Sequence, residues 1–571
     1  MKKIFKYIIP AAALMLSVGM ASCVNDLHVT PIDPSVQTDV TAEQLFNKCY
    51  ANFGLPGNGG SDGDCDIDGI DGGTSGLYRQ YWNSQELTSD EAICGWGDDG
   101  VATFCYNTYD ASHPMLKGYY YRLCVGIAYC NQYLGTFGEA NTTMSAEVRF
   151  LRAFQYYLLM DAFGNVPFTT TVSSEKPKQA TRAELYSFIE SELLAIIGED
   201  SQDNTQVLAE AAPHKNGEDR YGRVDKAAAW MLLARLYLNA EVYTGTAQWA
   251  KAETYSKKVI DSAYELNTTG SSKNVTTTDA STGTKLTQTW EFSPYQMLFM
   301  GDNDKTSAAN EAIFPILSDG QRTTSWGVAL FLIASTYDGD MHELRYDEFF
   351  ADESSRSVNG VSGQAWGGNR ARPQLIRKFF PLDDAPEGAA YETADAAGDT
   401  RALFDTKGRK LNVEDPSTFK NGYAVAKFTN FTTDGSATSS TTHPNMDVMM
   451  MRKAEAYLIY AEAKFRQGDA TTAKEYVNII RNRAQADPYT AAHVLTLDEI
   501  LDENAREFYF EGHRRTDLIR FGYYGGNSSY KWQWKGGNYD GANFDKYRNI
   551  FAIPTSDITA NKNLEQNDGY K

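Results

Sequence analysis

Aspartates are concentrated in the stretch SDGDCDIDGIDGG, residues 61–73. Asp64, Asp66 and Asp68, followed by Gly69, match the first half of an EF-hand calcium loop. Such a loop closes with a bidentate glutamate at position twelve, and counting from Asp64 places Ser75 there. The spacing therefore argues against an EF-hand site and leaves these carboxylates for another role.

A second pair of carboxylates, Asp302 and Asp304, lies in the stretch GDNDKTS. Carboxylates and loop carbonyls are the ligands that calcium prefers. These two aspartates are therefore candidate ligands of a structural calcium ion, and the alternative is a solvated turn. We expect no other cofactor, and none is required for the function that the sequence favours.

Catalytic motifs are sparse in this chain. We find no H-E-x-x-H and no G-x-x-x-x-G-K, and the seven histidines are scattered singly. The 74 acidic residues offer many carboxylate pairs for glycoside hydrolysis, but none stands out. We therefore predict that the protein is not an enzyme.

The charge and the aromatic content limit the class of partner. The formal net charge of −21 argues against nucleic acid and against an anionic lipid surface. Aromatic residues make up 13% of the chain, including 35 Tyr and 9 Trp. This richness favours a ligand with faces on which rings can stack.

The N-terminus has the pattern of an export signal. Lys2, Lys3 and Lys6 precede an apolar stretch, residues 7–21, and small residues lead to Cys23. This predicts a signal peptide over residues 1–22 that resembles a bacterial lipobox, with lipidation at Cys23 and a tether over 23–40. Ordinary cleavage with a spare cysteine is the alternative. The six later cysteines match no disulfide or zinc spacing, so we expect buried thiols.

Apolar residues recur at helical spacing in several segments. One predicted helix opens at Ser145 and closes at Gly164, and another starts with a capping box at Thr181 and Glu184. Residues 225–263 and 452–484 look like two helical hairpins of one plan, each with a glycine turn and small residues at the helix contacts. This plan is similar to tetratricopeptide repeats.

The composition changes between about residues 265 and 448, which are rich in Ser, Thr, Gly and Asn. This composition predicts long surface loops with short strands. We therefore predict a mainly α fold over residues 41–571. Its tetratricopeptide-like scaffold would consist of an N-terminal helical part (about 41–264) and a C-terminal helical part (about 449–571). A loop-rich, irregular insert carrying short strands would lie between them.

Two C-terminal segments, ENAREFYFEGHRRTDLIRFG and IPTSDITANKNLEQNDGY, together resemble the closing signature of the SusD/RagB family. FLRAFQYYLLMDAFGNVPF and RKAEAYLIYAEA resemble the internal helices of that family. The resemblance implies a lipoprotein of the outer membrane that faces the cell exterior and captures glycans for a TonB-dependent transporter.

The closing signature is also a run of charges three or four residues apart, which we expect on one helix. A structural role in ion pairing is predicted for these residues, and a catalytic pair of Glu511 and His513 is the alternative. The charged residues are Arg506, Glu507, Glu511, Arg514, Asp517 and Arg520.

Residues 71–100 look most like the starch-binding founding member of the family. The resemblance places Asp71, Arg79 and Trp96 at a glucan site, with Asp99 where that member has an amide. Trp326 and Trp366 are further candidates from the insert, because each is followed by glycine. Any single tryptophan can instead belong to the core, and we expect this of Trp82.

These observations predict cell-surface binding of an oligo- or polysaccharide, specifically an α-glucan such as starch or maltooligosaccharides. Three alternatives remain open: another glycan such as a fructan or a host glycan, a peptide ligand, and a glycan-degrading enzyme.

Overall fold

The structure is a computed structural model that describes residues 40–59, 65–200, 203, 205–278, 282–341, 357–526 and 529–571. The chain divides into two units, Met1–Leu45 and Phe46–Lys571. In the first unit, Thr41 caps the start of a helix: its hydroxyl accepts from the Gln44 N–H at 3.2 Å, and its own N–H donates to Gln44 Oε1 at 3.0 Å. The predicted signal peptide, the lipidated Cys23 and the tether lie outside the described residues, except for residue 40.

The α-helices are numbered in chain order. They are α1 (Ala42–Ala51), α2 (Gly72–Ser75), α3 (Leu77–Trp82), α4 (Val101–Cys105), α5 (Pro114–Phe137), α6 (Thr142–Phe163), α7 (Arg182–Ile196), α8 (Lys226–Leu238), α9 (Ala240–Thr244), α10 (Trp249–Ile260), α11 (Ala329–Thr336), α12 (Pro373–Ile376), α13 (Ala390–Ala397), α14 (Lys453–Arg466), α15 (Ala470–Arg483), α16 (Leu497–Phe508), α17 (Arg514–Arg520) and α18 (Thr555–Ala560). A π-helical turn, Asn83–Leu87, continues α3, and 3₁₀ turns occupy Gln296–Phe299, Ser307–Asn310, Lys535–Gly537 and Lys546–Asn549.

The strands are short and form two-stranded antiparallel sheets. They are β1 (Ala92–Cys94), β2 (Val166–Phe168), β3 (Lys178–Ala180), β4 (Ser271–Thr278), β5 (Lys285–Phe292), β6 (Ala312–Ile316), β7 (Asn369–Ala371), β8 (Phe404–Asp405), β9 (Ala424–Val425) and β10 (Val448–Arg452). The pairs are β1 with β7, β2 with β3, β4 with β5, β6 with β10, and β8 with β9.

The long helices form a stacked series, which confirms the mainly α, hairpin-repeat fold. Helices α5, α6, α7, α8, α10, α14 and α15 each pack against the next in that order. The two predicted hairpins are α8 with α10 and α14 with α15, and they stack through α10 and α14. Ala234, Ala252, Ala461 and Ala473 are fully buried, as close helix contacts require.

Local end signals explain most helix boundaries. The capping box at Thr181 and Glu184 is present, and α6 ends at Gly164, whose φ is 72°. The predicted start of this helix at Ser145 is wrong, because α6 begins at Thr142. Asn141 is the cap, with its Oδ1 accepting from the Met144 N–H at 3.0 Å, and Asn caps a helix as well as Ser does.

Residues 265–448 contain short elements and loops joined to the helical parts by strand pairing. Strand β6 pairs with β10, which runs directly into α14. Strand β7 pairs with β1, which follows the turn after α3. The β1–β7 sheet therefore brings the end of the insert segment 357–371 beside the segment that begins at Asp71.

The charged residues of the C-terminal signature do not share one helix, so that expectation is wrong. Helix α16 ends at Phe508 and α17 begins at Arg514, and Phe510 between them has a φ of 65°. The break lets Glu507 and Glu511 approach Arg452, whose guanidinium lies 2.5 and 2.7 Å from the two carboxylates.

The contacts of these residues support a structural role. Glu511 also accepts from Lys427 Nζ at 2.7 Å, and Arg514 pairs with Asp90 at 2.7 Å. Burial lowers the pKa of His513 to about 3, so this imidazole is neutral at ordinary pH. Glu511 is buried and held by Arg452 and Lys427, while His513 is partly exposed and uncharged, so these contacts favour the structural role over the catalytic pair.

Candidate functional site

Trp96 is positioned by the end of the β1–β7 sheet. Gly95, directly after β1, donates its N–H to the carbonyl of Gly368 at 3.3 Å. A Cβ atom added to Gly368 would stand 2.2 Å from Cε2 of Trp96. The indole therefore lies directly against bare backbone, and only glycine at position 368 permits this approach.

Three tryptophans form a row on the surface. The ring centroids of Trp96 and Trp366 are 6.1 Å apart, and those of Trp366 and Trp326 are 5.9 Å apart. The interplanar angles are 55° and 46°, so successive rings turn rather than lie in one plane. All three side chains are partly exposed. We call Trp96, Trp366 and Trp326 the tryptophan row.

Two hydrogen bonds fix Trp366, the middle residue of the row. The Trp366 N–H donates to the carbonyl of Ala334 at 2.7 Å, which ties the loop to α11. Its indole Nε1 donates to Gln364 Oε1, also at 2.7 Å. Beyond Trp326 the row continues to His443, whose ring centroid lies 5.8 Å from that of Trp326. The indole orientation is therefore fixed before any ligand arrives.

Arg79, on α3, lies at the other end of the row. Its guanidinium carbon is 5.6 Å from the ring centroid of Trp96 and 5.0 Å from that of Phe331. A Cβ atom on Gly73 would come within 2.9 Å of Arg79 Nη1, so this glycine makes room for the cation. Burial lowers the pKa of Arg79, while the charges of Asp98 and Asp71 oppose the change.

The Nε atom of Arg79 is buried and has no hydrogen-bond partner among the described residues. A guanidinium has five N–H donors and remains charged in proteins. Although the Nε atom itself is enclosed, Arg79 is partly exposed, and a cation beside an open ring is suited to bind an oxygen of a ligand.

Asp71 is exposed and caps the short helix α2. Its Oδ1 accepts from the Thr74 N–H at 2.9 Å. Burial would raise the pKa of Asp71, but hydrogen bonds from Thr74 and Gly73 and the nearby Arg79 lower it overall. The carboxylate is therefore ionised at neutral pH and serves the local fold as well as facing solvent.

Asp71, Arg79 and Asp99 line one surface cavity of about 510 Å³, together with Asp98 and Lys117. Arg79 belongs both to this cavity and to the end of the tryptophan row. The structure thus brings all six sequence-predicted site residues into one continuous region. Their role in ligand binding stays a prediction.

Sequence reasoning missed several neighbours of this region. The ring of Phe331 contacts both Arg79 and Trp96. It lies in the apolar helix α11, which the sequence alone would assign to the hydrophobic core. His443 and Gln364 come from polar loops without any recognisable spacing. Asp98 lines the cavity beside Asp99, and its place in the run of acids that follows Trp96 was a usable signal for it.

The expectation for Trp82 is consistent with the structure. Its side chain is fully buried, and Nε1 donates to the carbonyl of Phe510 at 2.8 Å. The six described cysteines are free thiols, of which Cys49, Cys94, Cys105 and Cys130 are buried.

Asp302 and Asp304 are buried, and each leaves one carboxylate oxygen without a hydrogen-bond partner among the described residues. Asp302 Oδ2 accepts from the Thr433 N–H at 3.0 Å and from its hydroxyl at 2.6 Å, while Asp304 Oδ2 accepts from Asn216 at 2.5 Å. Burial raises the pKa of Asp302. In the described part of the chain, no group of three or more His, Cys, Asp or Glu side chains comes together as a metal site. A cation here would therefore need carbonyl, hydroxyl or water oxygens as additional ligands.

The fold and the site define a helical-repeat protein that carries an aromatic surface site on loops. Residues 406–570 match the family model described as the SusD family. Residues 78–238 match the one described as starch-binding associating with outer membrane. Starch-binding protein SusD of Bacteroides thetaiotaomicron is 36% identical over 607 residues, with 100% of both chains covered. The chain belongs to the SusD family.

Solved structures share the fold at lower identity. A SusD superfamily protein from Bacteroides vulgatus has a TM-score of 0.62 at 17% identity, covering 93% of this chain and 98% of that one. Surface glycan-binding protein A from Bacteroides thetaiotaomicron, in complex with laminarihexaose, has a TM-score of 0.59 at 20% identity and covers 92% and 98%. No described helix of this chain has the length and apolar composition to cross a bilayer.

Proposed function

We propose that this protein binds oligo- or polysaccharide chains at the cell surface, and that its ligand is an α-glucan such as starch or a maltooligosaccharide. The observation that carries the proposal is the tryptophan row ending at Arg79. Sugar rings present C–H faces to aromatic rings and a rim of hydroxyls to charged groups. The 36% identity to a starch-binding relative supports the choice of α-glucan.

The geometry suits a ligand that turns as it extends. Successive indoles of the row are tilted by 46–55°, and an α-glucan chain curves in the same manner, so each ring can meet a different sugar face. Arg79, which lines the cavity, would donate to sugar hydroxyls. Asp71 and Asp99 would accept hydrogen bonds from sugar hydroxyls on the cavity side. These contacts bind and orient the chain without breaking it.

The protein would act as a binding component rather than an enzyme. We place it at the outer membrane, anchored by lipid at Cys23 and facing the exterior, where it passes glycan to a TonB-dependent transporter. The family resemblance supports this arrangement, as does the match of residues 78–238 to a family described as starch-binding associating with outer membrane.

A structural calcium ion at Asp302 and Asp304 is part of the proposal. Each aspartate has a buried oxygen without a partner, and an uncompensated buried carboxylate is costly. A calcium ion would satisfy both oxygens, with neighbouring backbone carbonyls completing its shell. Its contribution would be to the stability of the insert.

Isothermal titration with maltoheptaose tests the glucan proposal. Trp366→Ala should weaken binding roughly thirtyfold, because truncating a central aromatic anchor commonly costs about 2 kcal/mol. Trp230→Ala is the matched control, since Trp230 is also partly exposed but lies on α8 beside Lys258. If wild type and Trp366→Ala bind maltoheptaose with equal affinity and have the same circular dichroism spectrum, the tryptophan row is not the binding site.

The same titration with laminarihexaose, an inulin-type fructan and a mixed peptide pool separates the ligand classes. We expect heat from maltoheptaose and little from the others. A reducing-end assay after overnight incubation with starch addresses catalysis, and new reducing ends would contradict the assignment as a binding protein.

A further inference from the structure

A second group of partly exposed aromatic side chains lies apart from the tryptophan row. The ring centroids of Tyr106 and Trp534 are 5.4 Å apart with an interplanar angle of 39°. Those of Trp534 and Tyr539 are 5.9 Å apart at 85°. Tyr539 is 36% exposed, and the other two are partly exposed. The ring spacing repeats that of the tryptophan row, where neighbouring centroids are 5.9 and 6.1 Å apart.

The backbone holds Trp534 in a conformation that bulky residues rarely adopt. Its φ is 68°, in the left-handed region, which costs roughly 1–2 kcal/mol for a residue with a Cβ atom. Trp534 Nε1 donates to the carbonyl of Val413 at 2.9 Å. Because Trp534 is only partly buried, burial of its indole offsets little of this backbone strain. Backbone strain of this kind is typical of functional sites.

Polar groups surround these rings. Asn538 and Asp540 are exposed in the same turn. A Cβ atom on Gly537 would lie 3.8 Å from Cβ of Tyr106 and 3.9 Å from Cγ2 of Thr108, so this turn passes close to the Tyr106 ring. Aromatic faces with amide, carboxylate and hydroxyl groups at their edge suit carbohydrate better than an apolar protein surface.

One loop connects this group to the tryptophan row. Val413 accepts the indole hydrogen bond of Trp534. Three residues further on, the carbonyl oxygen of Pro416 lies 2.6 Å from the position of a Cβ atom on Gly95, the neighbour of Trp96. Three residues of chain span at most about 10 Å. The two aromatic groups therefore flank a single loop, within reach of one oligosaccharide.

We propose that Tyr106, Trp534 and Tyr539 form a second carbohydrate platform, which binds a distal segment of the same polysaccharide chain that occupies the tryptophan row. The inference rests on the proposed glycan-binding function. The platform is the weaker of the two sites, because among the described residues no cation lies over its rings as Arg79 lies over Trp96. Its effect is therefore on long chains, for which the second binding event is intramolecular and adds avidity.

Two assays separate the platform from the row: titration with maltoheptaose and native gel electrophoresis in amylopectin. Tyr539→Ala should leave the maltoheptaose Kd within about twofold and reduce retention by amylopectin roughly tenfold. Trp534→Ala should do the same, and Trp96→Ala should weaken binding in both assays. In the Trp96→Ala background, adding Tyr539→Ala should abolish the remaining retention. Tyr121→Ala on α5 is the matched tyrosine control.

The outcomes distinguish the two proposals. Unchanged amylopectin retention in both Tyr539→Ala and Trp534→Ala, with retention lost in Trp96→Ala, overturns the platform and leaves the proposed function intact. Unchanged binding in Trp96→Ala overturns the proposed function itself. A loss of maltoheptaose affinity in Tyr539→Ala also overturns a separate platform. Because Tyr539 is exposed, this variant tests the inference even where Trp534→Ala fails to fold.

Discussion

The buried carboxylate of Glu503 offers a quantitative test of the structural role of the C-terminal signature. Glu503 is fully buried and contacts three guanidinium groups: Arg401 at 2.7 Å, Arg481 at 3.0 Å and Arg506 at 2.7 Å. Replacing it with glutamine keeps the shape and removes the charge. The three cations then remain in the interior without their common partner.

Burial would raise the pKa of Glu503, but the charges of Arg401, Arg506 and Arg481 lower it from 4.5 to about 2. At 1.36 kcal/mol for each pKa unit, this difference corresponds to about 3 kcal/mol of folding free energy. Breaking a buried ion pair costs 3–5 kcal/mol in other proteins, which is the same range. We therefore expect Glu503→Gln to lower the free energy of unfolding by about 3 kcal/mol at pH 7.

The pH dependence has a definite sign. The folded-state pKa lies below the unfolded-state value, so the contribution is fully present above pH 4.5 and is lost as the pH falls toward 2. Urea unfolding of wild type and Glu503→Gln, followed by tryptophan fluorescence between pH 7 and 3, measures the gap directly. Glu475→Gln, an exposed glutamate on α15, is the control and should match wild type.

Two results would refute this reasoning. Equal unfolding free energies at pH 7 would mean that the arginines find other partners or solvent when Glu503 is neutral. A gap that stays constant down to pH 3 would mean that the loss comes from packing rather than from charge. Either result would also weaken the structural account of Glu507, which contacts Arg452 and Arg401 in the same interior.

Two further predictions concern the site and the proposed cation. Arg79→Lys keeps a positive charge but removes the planar donor set over Trp96 and Phe331. Titration with maltoheptaose should therefore show binding weakened roughly tenfold. An unchanged Kd would argue against direct contact between Arg79 and the ligand. Chelation with EGTA should lower the melting temperature of the wild type, and calcium should restore it. The melting temperature of the Asp302→Asn variant should not change with EGTA or calcium. Asp219→Asn changes an exposed residue and should respond to EGTA like the wild type. A wild-type melting temperature that EGTA does not lower would contradict the calcium proposal.

The helical scaffold was predictable because its signals are local. Small residues at the hairpin contacts, the glycine turns at Gly245 and Gly468, and the capping box at Thr181 all act within a few residues of chain. The break between α16 and α17 was missed because the charges keep helical spacing across it. Gly512, with a φ of 88°, was the available sign of that break.

The site was predictable only in part. Asp71, Arg79 and Trp96 could be named from the family resemblance, and Trp326 and Trp366 because each is followed by glycine. Their mutual contacts depend on the pairing of β1 with β7 and on the loop tied to Ala334, which link residues far apart in the chain. Phe331 and His443 could not be found in this way, since their part in the site arises only from tertiary packing.

The bare main chain beneath Trp96 has a consequence for how this protein can lose or change its ligand. A single methyl group at position 368 would tilt or lift the indole while every ligand-facing side chain stayed the same. Gly368→Ala would thus give a folded protein that keeps all six candidate residues in its sequence but has a displaced first ring. Comparisons that count only the aromatic residues would score such a variant as functional.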